Sequence, residues 1–485
     1  MDRPHKGETL ELSIRALAFG GKGIGRHGEF VVFVPGAVPG DTVRATVTLV
    51  KKRYAEARLR EIVEPSPDRR ATRCATFGAC GGCAWQSLDY EVQLQYKTQQ
   101  VTESLERLGG LTDFEALPIL HMDDPWRYRN RVDFSIGEVD GQAVVGFRPP
   151  GQWDSVLPVS ECHLLPPAFE SIRRIVETWL RDNGLPGWSP RTHTGFARHL
   201  LVRCGGFTPE TGVAATGSSQ RKTEGPEIIL SLVTVPAELP DLQGLVDALR
   251  TQHPEIVGIV HAVNGGVGEV ATGLPSRAIW GRPFLLERVA GVTVKVSIDA
   301  FFQTNSLMAH RLYLKVAEEL GSDAATDEDK SPVVWDLYCG VGSIGLSLAR
   351  GARAVLGIET VPAAVADARE NASLNLLTNA SFIEGDVAKV LREIADGERT
   401  LPMSLEHPDV IIVDPPRAGL ARKAVSRIGE VGAPKIIYVS CNPSTMAPNI
   451  AQLADYGYRL TRVTPVDMFP HTPHIEAVGL LLRAP

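Results

Sequence analysis

A cysteine closes the apolar run Ile436-Ile437-Tyr438-Val439-Ser440-Cys441-Asn442-Pro443, where Asn-Pro forces a turn that leaves the thiol uncovered. Two more runs end in residues able to do chemistry. Val410-Ile411-Ile412-Val413 stops at Asp414-Pro415-Pro416-Arg417, and Val333-Val334-Trp335-Asp336 leads into Tyr338-Cys339-Gly340-Val341-Gly342. Short β-branched runs are buried strands, and an open α/β sheet binds its ligands beyond their carboxyl ends. Three strand ends thus bring a thiol, a carboxylate and a glycine turn to one crevice. Cys441 is the expected nucleophile. Carbon 5 of uracil is too weak a nucleophile to take a methyl group unaided, but thiolate addition at carbon 6 makes an enolate that can. A base must then remove the carbon 5 proton. Glu476, in Pro470-His471-Thr472-Pro473-His474-Ile475-Glu476 before the apolar run 477–482, is the expected base. His471 and His474 compete with it and are read as positioning residues.

The donor side is read from the order of glycines and acids. Asp336, Tyr338, Gly340, Gly342 and Ser343 are followed by Glu359 at the end of the next strand and Asp386 at the end of a third. Glycines let the backbone approach a nucleoside, Glu359 can grip ribose hydroxyls and Asp386 can accept from an adenine amino group. No arginine-rich diphosphate clamp follows, so phosphate-free S-adenosylmethionine is preferred to NAD. Gln303 offers an amide to donor or base, and Phe301 a stacking face for a flipped uracil, with one of Phe301 and Phe302 expected in the core.

These residues need a frame. A chain of 485 residues is too long for one core, and 44% hydrophobic with 22% charged residues is ordinary for a globular protein. Residues 1–66 contain short strands separated by glycine and proline turns, which suits an OB-like β-barrel with bunched lysine and arginine. A net charge of −7 means that RNA contact must come from such local basic surface. Residues 67–290 read as an α+β central domain, with helix 89–108 stopped by Gly109-Gly110. Residues 291–485 alternate strand and helix as a Rossmann-like domain. In Trp126-Arg127-Tyr128-Arg129-Asn130-Arg131, strand periodicity would put Arg127, Arg129 and Arg131 on one RNA-facing side. Seven cysteines, three of them at Cys74, Cys80 and Cys83, argue for a metal or cluster rather than a disulfide framework. With Cys162 as the best fourth candidate, one triple plus a distant single leans toward iron–sulfur over paired-knuckle zinc. No apolar signal core opens the chain, so a cytoplasmic, membrane-free protein is expected, and a monomer.

Taken together, Cys74-x5-Cys80-Gly-Gly-Cys83, Tyr128-Arg129-Asn130, Phe302-Gln303-x-Asn305, Asp414-Pro-Pro-Arg417, Ser440-Cys441-Asn442-Pro443 and Asp467-Met-Phe-Pro-x-Thr472-x-His474-x-Glu476 are similar to the bacterial RNA (uracil-5-)-methyltransferases, in the branch with a TRAM barrel and a [4Fe–4S] cluster. The resemblance spans nearly the whole chain. It implies a multidomain α/β protein: TRAM barrel, central domain with an iron–sulfur loop, and class I methyltransferase domain, with the stretch 86–117 packing on the catalytic domain. It implies Cys441 as nucleophile, Glu476 as base, and donor contacts from Gln303, Tyr338, Ser343, Glu359, Asp386 and Asp414. Cys74, Cys80, Cys83 and Cys162 would be cluster ligands. The implied substrate is RNA, 23S rRNA because of the barrel, with a tRNA T-loop uridine as the alternative. One departure stands out: Pro448-Asn449 replaces the family's Arg-Asp or Arg-Asn pair, which puts a local brace in question.

Overall fold

A computed structural model describes residues 3–206, 226–321 and 331–484 of the chain. The catalytic sheet runs, side by side, Ala380–Glu384, Ala354–Glu359, Val333–Leu337, Val410–Val413, Lys435–Ser440, Glu476–Arg483, Tyr458–Val466 and Glu115–Ala116. The first five are parallel. Their nearly unbroken apolar sequences follow from burial on both faces by the crossover helices. Strand order reverses at Val333–Leu337, where the chain runs outward to Ala354–Glu359 on one side and later to Val410–Val413 on the other. That is the position at which such sheets open a crevice. Glu476–Arg483 then enters antiparallel to Lys435–Ser440 with Ser440 opposite Ala477, so Cys441 and Glu476 are the next residues along at the same sheet edge.

The helix Tyr90–Gly109 is capped by Asp89, whose carboxylate accepts from the Glu91 amide, and stops at Gly110 in the left-handed region. It packs on helix Pro443–Leu453, its apolar Val101 and Leu105 joining the catalytic core. A second, polar set at i, i+3 and i+7 faces inward too, with Tyr90 half-buried and Gln93 and Lys97 buried. Tyr90 donates to Asp467 at 2.8 Å, Gln93 bonds His471, and Lys97 forms an ion pair with Asp467 in which both side chains have 0% exposure. Lys97 also donates to the Phe469 carbonyl at 3.0 Å. One helix face therefore grips the segment leading to Glu476.

The N-terminal barrel has six strands in the order Thr9–Ser13, Thr42–Val50, Tyr54–Glu64, Phe30–Val34, Gly23–His27 and Ala16–Leu17. Its bend touches the catalytic loop directly: a Cβ on Gly21 would lie 2.9 Å from both Pro473 Cβ and Trp85 Nε1. The central domain is a seven-stranded sheet from Leu157–Pro158 to Ser276–Gly281, with helices Pro167–Asp182 and Leu242–Gln252. No helix among the described residues is long and apolar enough to cross a membrane.

The expected three-arginine face does not form. Its strand begins only at Arg131, and Arg127 has φ +54°, which breaks the alternation. Arg127 turns instead to the carbonyls of Cys162 and Leu165, and Arg131 makes a two-point bond to Asp133 at 3.0 and 3.1 Å. The tie between Lys97 and Asp467 has a measurable cost when cut. Asp467→Ala strands a buried ammonium and should lower stability by about 3–5 kcal/mol in the urea transition of the catalytic domain. The double change Lys97→Met/Asp467→Leu should lose clearly less.

Candidate active site

Cys441 sits in the turn between strand Lys435–Ser440 and helix Pro443–Leu453, half-buried. Asn442 builds that turn. Its side-chain Oδ1 accepts from the Ser444 amide at 3.1 Å, and its side-chain Nδ2 donates to the Arg417 carbonyl at 3.0 Å. The thiol turn is thereby fastened to the loop Asp414-Pro415-Pro416-Arg417. Asn449 secures the far end of the same loop, accepting from the Leu420 amide at 2.8 Å and from Tyr438 at 3.0 Å, and donating to the Leu420 carbonyl. Pro448, inside the helix, has no N–H for the preceding turn. Asn449, the second residue of that pair, therefore ties this helix to the loop ending at Leu420.

Burial pushes the Cys441 thiol up to about 11, with Glu476 and Asp414 adding to the rise and the Arg417 guanidinium opposing it. Glu476 is held well above the usual carboxylate range by burial and by Asp414, again with Arg417 opposing. Its Oε2 has no hydrogen-bond partner. Asp414 itself is pushed up to about 7 by burial. Thiol, two carboxyls and one guanidinium thus share a single field. Arg417 was legible only as part of its motif; no role was read for it. His474 lies beside them, its ring 6.0 Å from Phe469, and burial together with the Arg417, Lys97 and Arg129 charges keeps it neutral.

On the donor side Tyr338 adopts φ +65° and Gly340 φ +54°, and nothing lies within 4 Å of where a Gly340 Cβ would be. This bare backbone is the open wall that a nucleoside needs. Gly342 is required for packing instead, since a Cβ there would meet Phe382 and Ala368. Glu359 accepts from the Gly340, Thr360 and Val361 amides at 3.0, 2.7 and 2.9 Å, which leaves about one of a carboxylate's four acceptor positions for a ligand. Asp386 does not end its strand, which stops at Glu384; it caps helix Val387–Ala395 through Oδ1. Ser343 is bonded to Tyr313 at 2.8 Å, a partner with no signal in the sequence. Asp336 accepts from the Gly345 amide, keeps a buried, unpartnered Oδ1, and is pushed up to about 7 by burial and its acidic neighbours. A cationic sulfonium would relieve these buried acids and a diphosphate would aggravate them. Gln303 is buried, Phe302 joins the core and Phe301 is 76% exposed, one aromatic to each fate.

Cys74, Cys80, Cys83 and Cys162 line one cavity of about 350 Å³, together with Arg129, Arg131 and His163. Among the described residues no three His, Cys, Asp or Glu side chains are grouped to hold a metal ion. Burial and the mutual charge of Cys162 and Cys80 push Cys83 up to about 12. A metal centre would reverse that preference by binding the thiolates. Arg129 and Arg131, expected to meet RNA, face this cavity.

Comparison with known proteins identifies the family. The profile of the tRNA (Uracil-5-)-methyltransferase family matches residues 289–484, and the TRAM domain matches residues 4–59. An uncharacterized RNA methyltransferase of Clostridium acetobutylicum is 36% identical, over 99% of this chain and 98% of its own length. One from Caldanaerobacter subterraneus is 35% identical over 99% and 100%. The solved Pyrococcus abyssi tRNA (uracil-54, C5)-methyltransferase, in complex with S-adenosyl-L-homocysteine, is 28% identical with a TM-score of 0.75, covering 98% of this chain and 100% of that one. The chain belongs to the RNA (uracil-5-)-methyltransferase family, S-adenosyl-L-methionine-dependent enzymes that act on RNA.

The thiol's environment fixes a pH dependence. Only the thiolate reacts, so iodoacetamide labelling of Cys441, followed by peptide mass spectrometry, should rise about tenfold per pH unit until close to pH 11. Glu476→Gln removes a charge that raises the thiol, so its labelling curve should move to lower pH.

Proposed function

We propose that this enzyme makes 5-methyluridine in RNA through a covalent adduct on Cys441. The observation that carries the reading is the placement of Cys441 and Glu476 across one strand pair in a shared field, with Asp414 and Arg417 beside them. The Cys441 thiolate adds to uracil carbon 6, and the electron pair moves to the carbonyl oxygen at carbon 4. Arg417 favours the thiolate that this step requires. S-adenosyl-L-methionine, when bound, supplies an electrophilic methyl group. Carbon 5 takes that methyl group with the enolate's electron pair as the methyl–sulfur bond breaks, leaving a neutral thioether. Glu476 then removes the carbon 5 proton, the carbon 5–carbon 6 double bond re-forms, the bond from Cys441 sulfur to carbon 6 breaks, and the thiolate leaves. Tyr338, Gly340, Gly342 and Ser343 would hold the donor with Glu359, Asp386 and Asp414, and Gln303 would orient it. Phe301 would stack on the extruded uracil.

We also propose a [4Fe–4S] cluster in the cysteine cavity: four thiols line it, a soft donor set suited to iron–sulfur, with the carboxylates of Asp133 and Glu161 also in its wall. Cys74, Cys80, Cys83 and Cys162 would hold it, and its contribution is to fix the loops around it. Anaerobically prepared protein should contain iron and sulfide in equal amounts, and Cys83→Ser should lose both.

The substrate we infer is 23S rRNA, a reading supported by the TRAM barrel. A tRNA uridine is the second reading, supported by the likeness to the Pyrococcus enzyme. Transcripts of both RNAs carrying 5-fluorouridine separate the two, because a fluorine at carbon 5 cannot be taken by a base. The RNA that is the substrate should form a complex surviving denaturing electrophoresis, absent with Cys441→Ala. Methyl transfer without any trapped complex would refute the covalent route.

A further inference from the structure

The loop that delivers Glu476 is tied down at one residue from three directions. His471 has φ +63°, a conformation a histidine adopts only when its surroundings enforce it. Its backbone amide donates to Gln93 Oε1 at 3.0 Å, and the Gln93 amide nitrogen lies 3.3 Å from its Nδ1. Its imidazole stacks on Trp126, with ring centres 3.9 Å apart. Its carbonyl accepts two bonds, from the Ala84 and Trp85 amides at 3.1 and 3.0 Å. Those two residues directly follow Cys83. Tyr128 adds a bond to the neighbouring Pro470 carbonyl at 3.0 Å. His471 is therefore where helix Tyr90–Gly109, the Trp126–Tyr128 segment and the cysteine loop meet, five residues before the carboxylate.

Burial, with the Lys97 and Arg73 charges, pushes His471 down to about 3 against the opposing effect of the Pro125 backbone. A neutral, enclosed ring of this kind is unsuited to exchanging protons with a substrate. The backbone bonds of His471 fix the path of the loop, and the Gln93 and Trp126 contacts hold its ring in place. We propose that His471 is a positioning residue for Glu476, and that it carries the order of the cysteine loop to the catalytic carboxylate. The inference rests on the reading of Glu476 as the base. It concerns one step only: removal of the carbon 5 proton, which comes after Cys441 has added and the methyl group has been transferred. A displaced Glu476 would leave the earlier steps intact and stall the enzyme as a methylated covalent adduct.

That stall can be read directly. RNA with ordinary uridine is incubated with donor and full-length enzyme, and the covalent complex is followed on denaturing gels beside the trapping rate with 5-fluorouridine RNA. Glu476→Gln should accumulate the ordinary-uridine adduct; if it does not, the assignment of the base fails, whatever His471 does. Given that accumulation, His471→Ala should slow release of methylated RNA at least tenfold, accumulate the same adduct, and trap 5-fluorouridine RNA at close to the wild-type rate. Trp126→Ala should act in the same direction and Trp126→Phe, which keeps a stacking ring, should restore release. Cys83→Ser, with thermal unfolding as the check on its fold, should also accumulate adduct. Trapping and release falling together in His471→Ala and Trp126→Ala would overturn the proposal, as would release unchanged in both. Wild-type release by folded Cys83→Ser would overturn the link to the cysteine loop.

Discussion

Lys97 and Asp467 form the contact on which the catalytic geometry hangs. Two opposite charges with no solvent exposure are costly to bury and are held only if their remaining hydrogen-bonding capacity is met. Here Tyr90 satisfies Asp467 and the Phe469 carbonyl takes a second proton of Lys97. The pair contributes less through net energy than through intolerance of misalignment. A shift of the helix relative to the loop 467–474 would leave an ammonium and a carboxylate unsatisfied inside the protein. That loop joins the last two long strands of the sheet, and its end is Glu476.

The active site shows the opposite economy of charge. Asp336, Asp414 and Glu476 are carboxyl groups in poorly hydrated positions, each displaced upward, and Arg417 is the cation that opposes the rise at both Cys441 and Glu476. Such a site is electrostatically unfinished without a positive ligand. The same feature that makes the free protein hold protons on its acids gives a sulfonium donor its preference over a phosphate-bearing nucleotide.

Much of this was legible in the sequence because strand ends announce themselves. Cys441, Asp414 and Asp336 each follow an apolar run that can only be a buried strand, and a parallel sheet converts that pattern into a common edge. Glu476 was found the same way, from the run behind it. The failures have a common cause: residues whose function depends on partners far away in the chain. A lysine in an amphipathic helix ordinarily covers apolar surface with its stem and leaves its ammonium in water, so nothing in the helix marked Lys97 as buried. The arginine alternation at 127–131 misled because one left-handed residue at Arg127 moves every later side chain off the expected face. Glu359 was placed correctly at a strand end, but its bonds to three backbone amides follow from the glycine turn's path. Phe301 and Phe302 are adjacent aromatics, and only the packing of Phe302 against the core decides which remains uncovered.

The helix that supports the catalytic sheet is made early in synthesis and its partner almost last. Lys97 and Asp467 are 370 residues apart. At ribosomal speeds of about 5–20 residues per second, the lysine waits roughly 20–75 s for its counter-ion. The short strand Glu115–Ala116 waits likewise for Tyr458–Val466, beside which it lies at the sheet edge. Through that interval the barrel and central domain can close around their own cores, while helix Tyr90–Gly109 has neither its charge partner nor the apolar surface of Pro443–Leu453. Assembly of the crevice is thus the final event in the life of the nascent chain, and an interrupted product ending before Asp467 would carry the N-terminal barrel without a completed crevice.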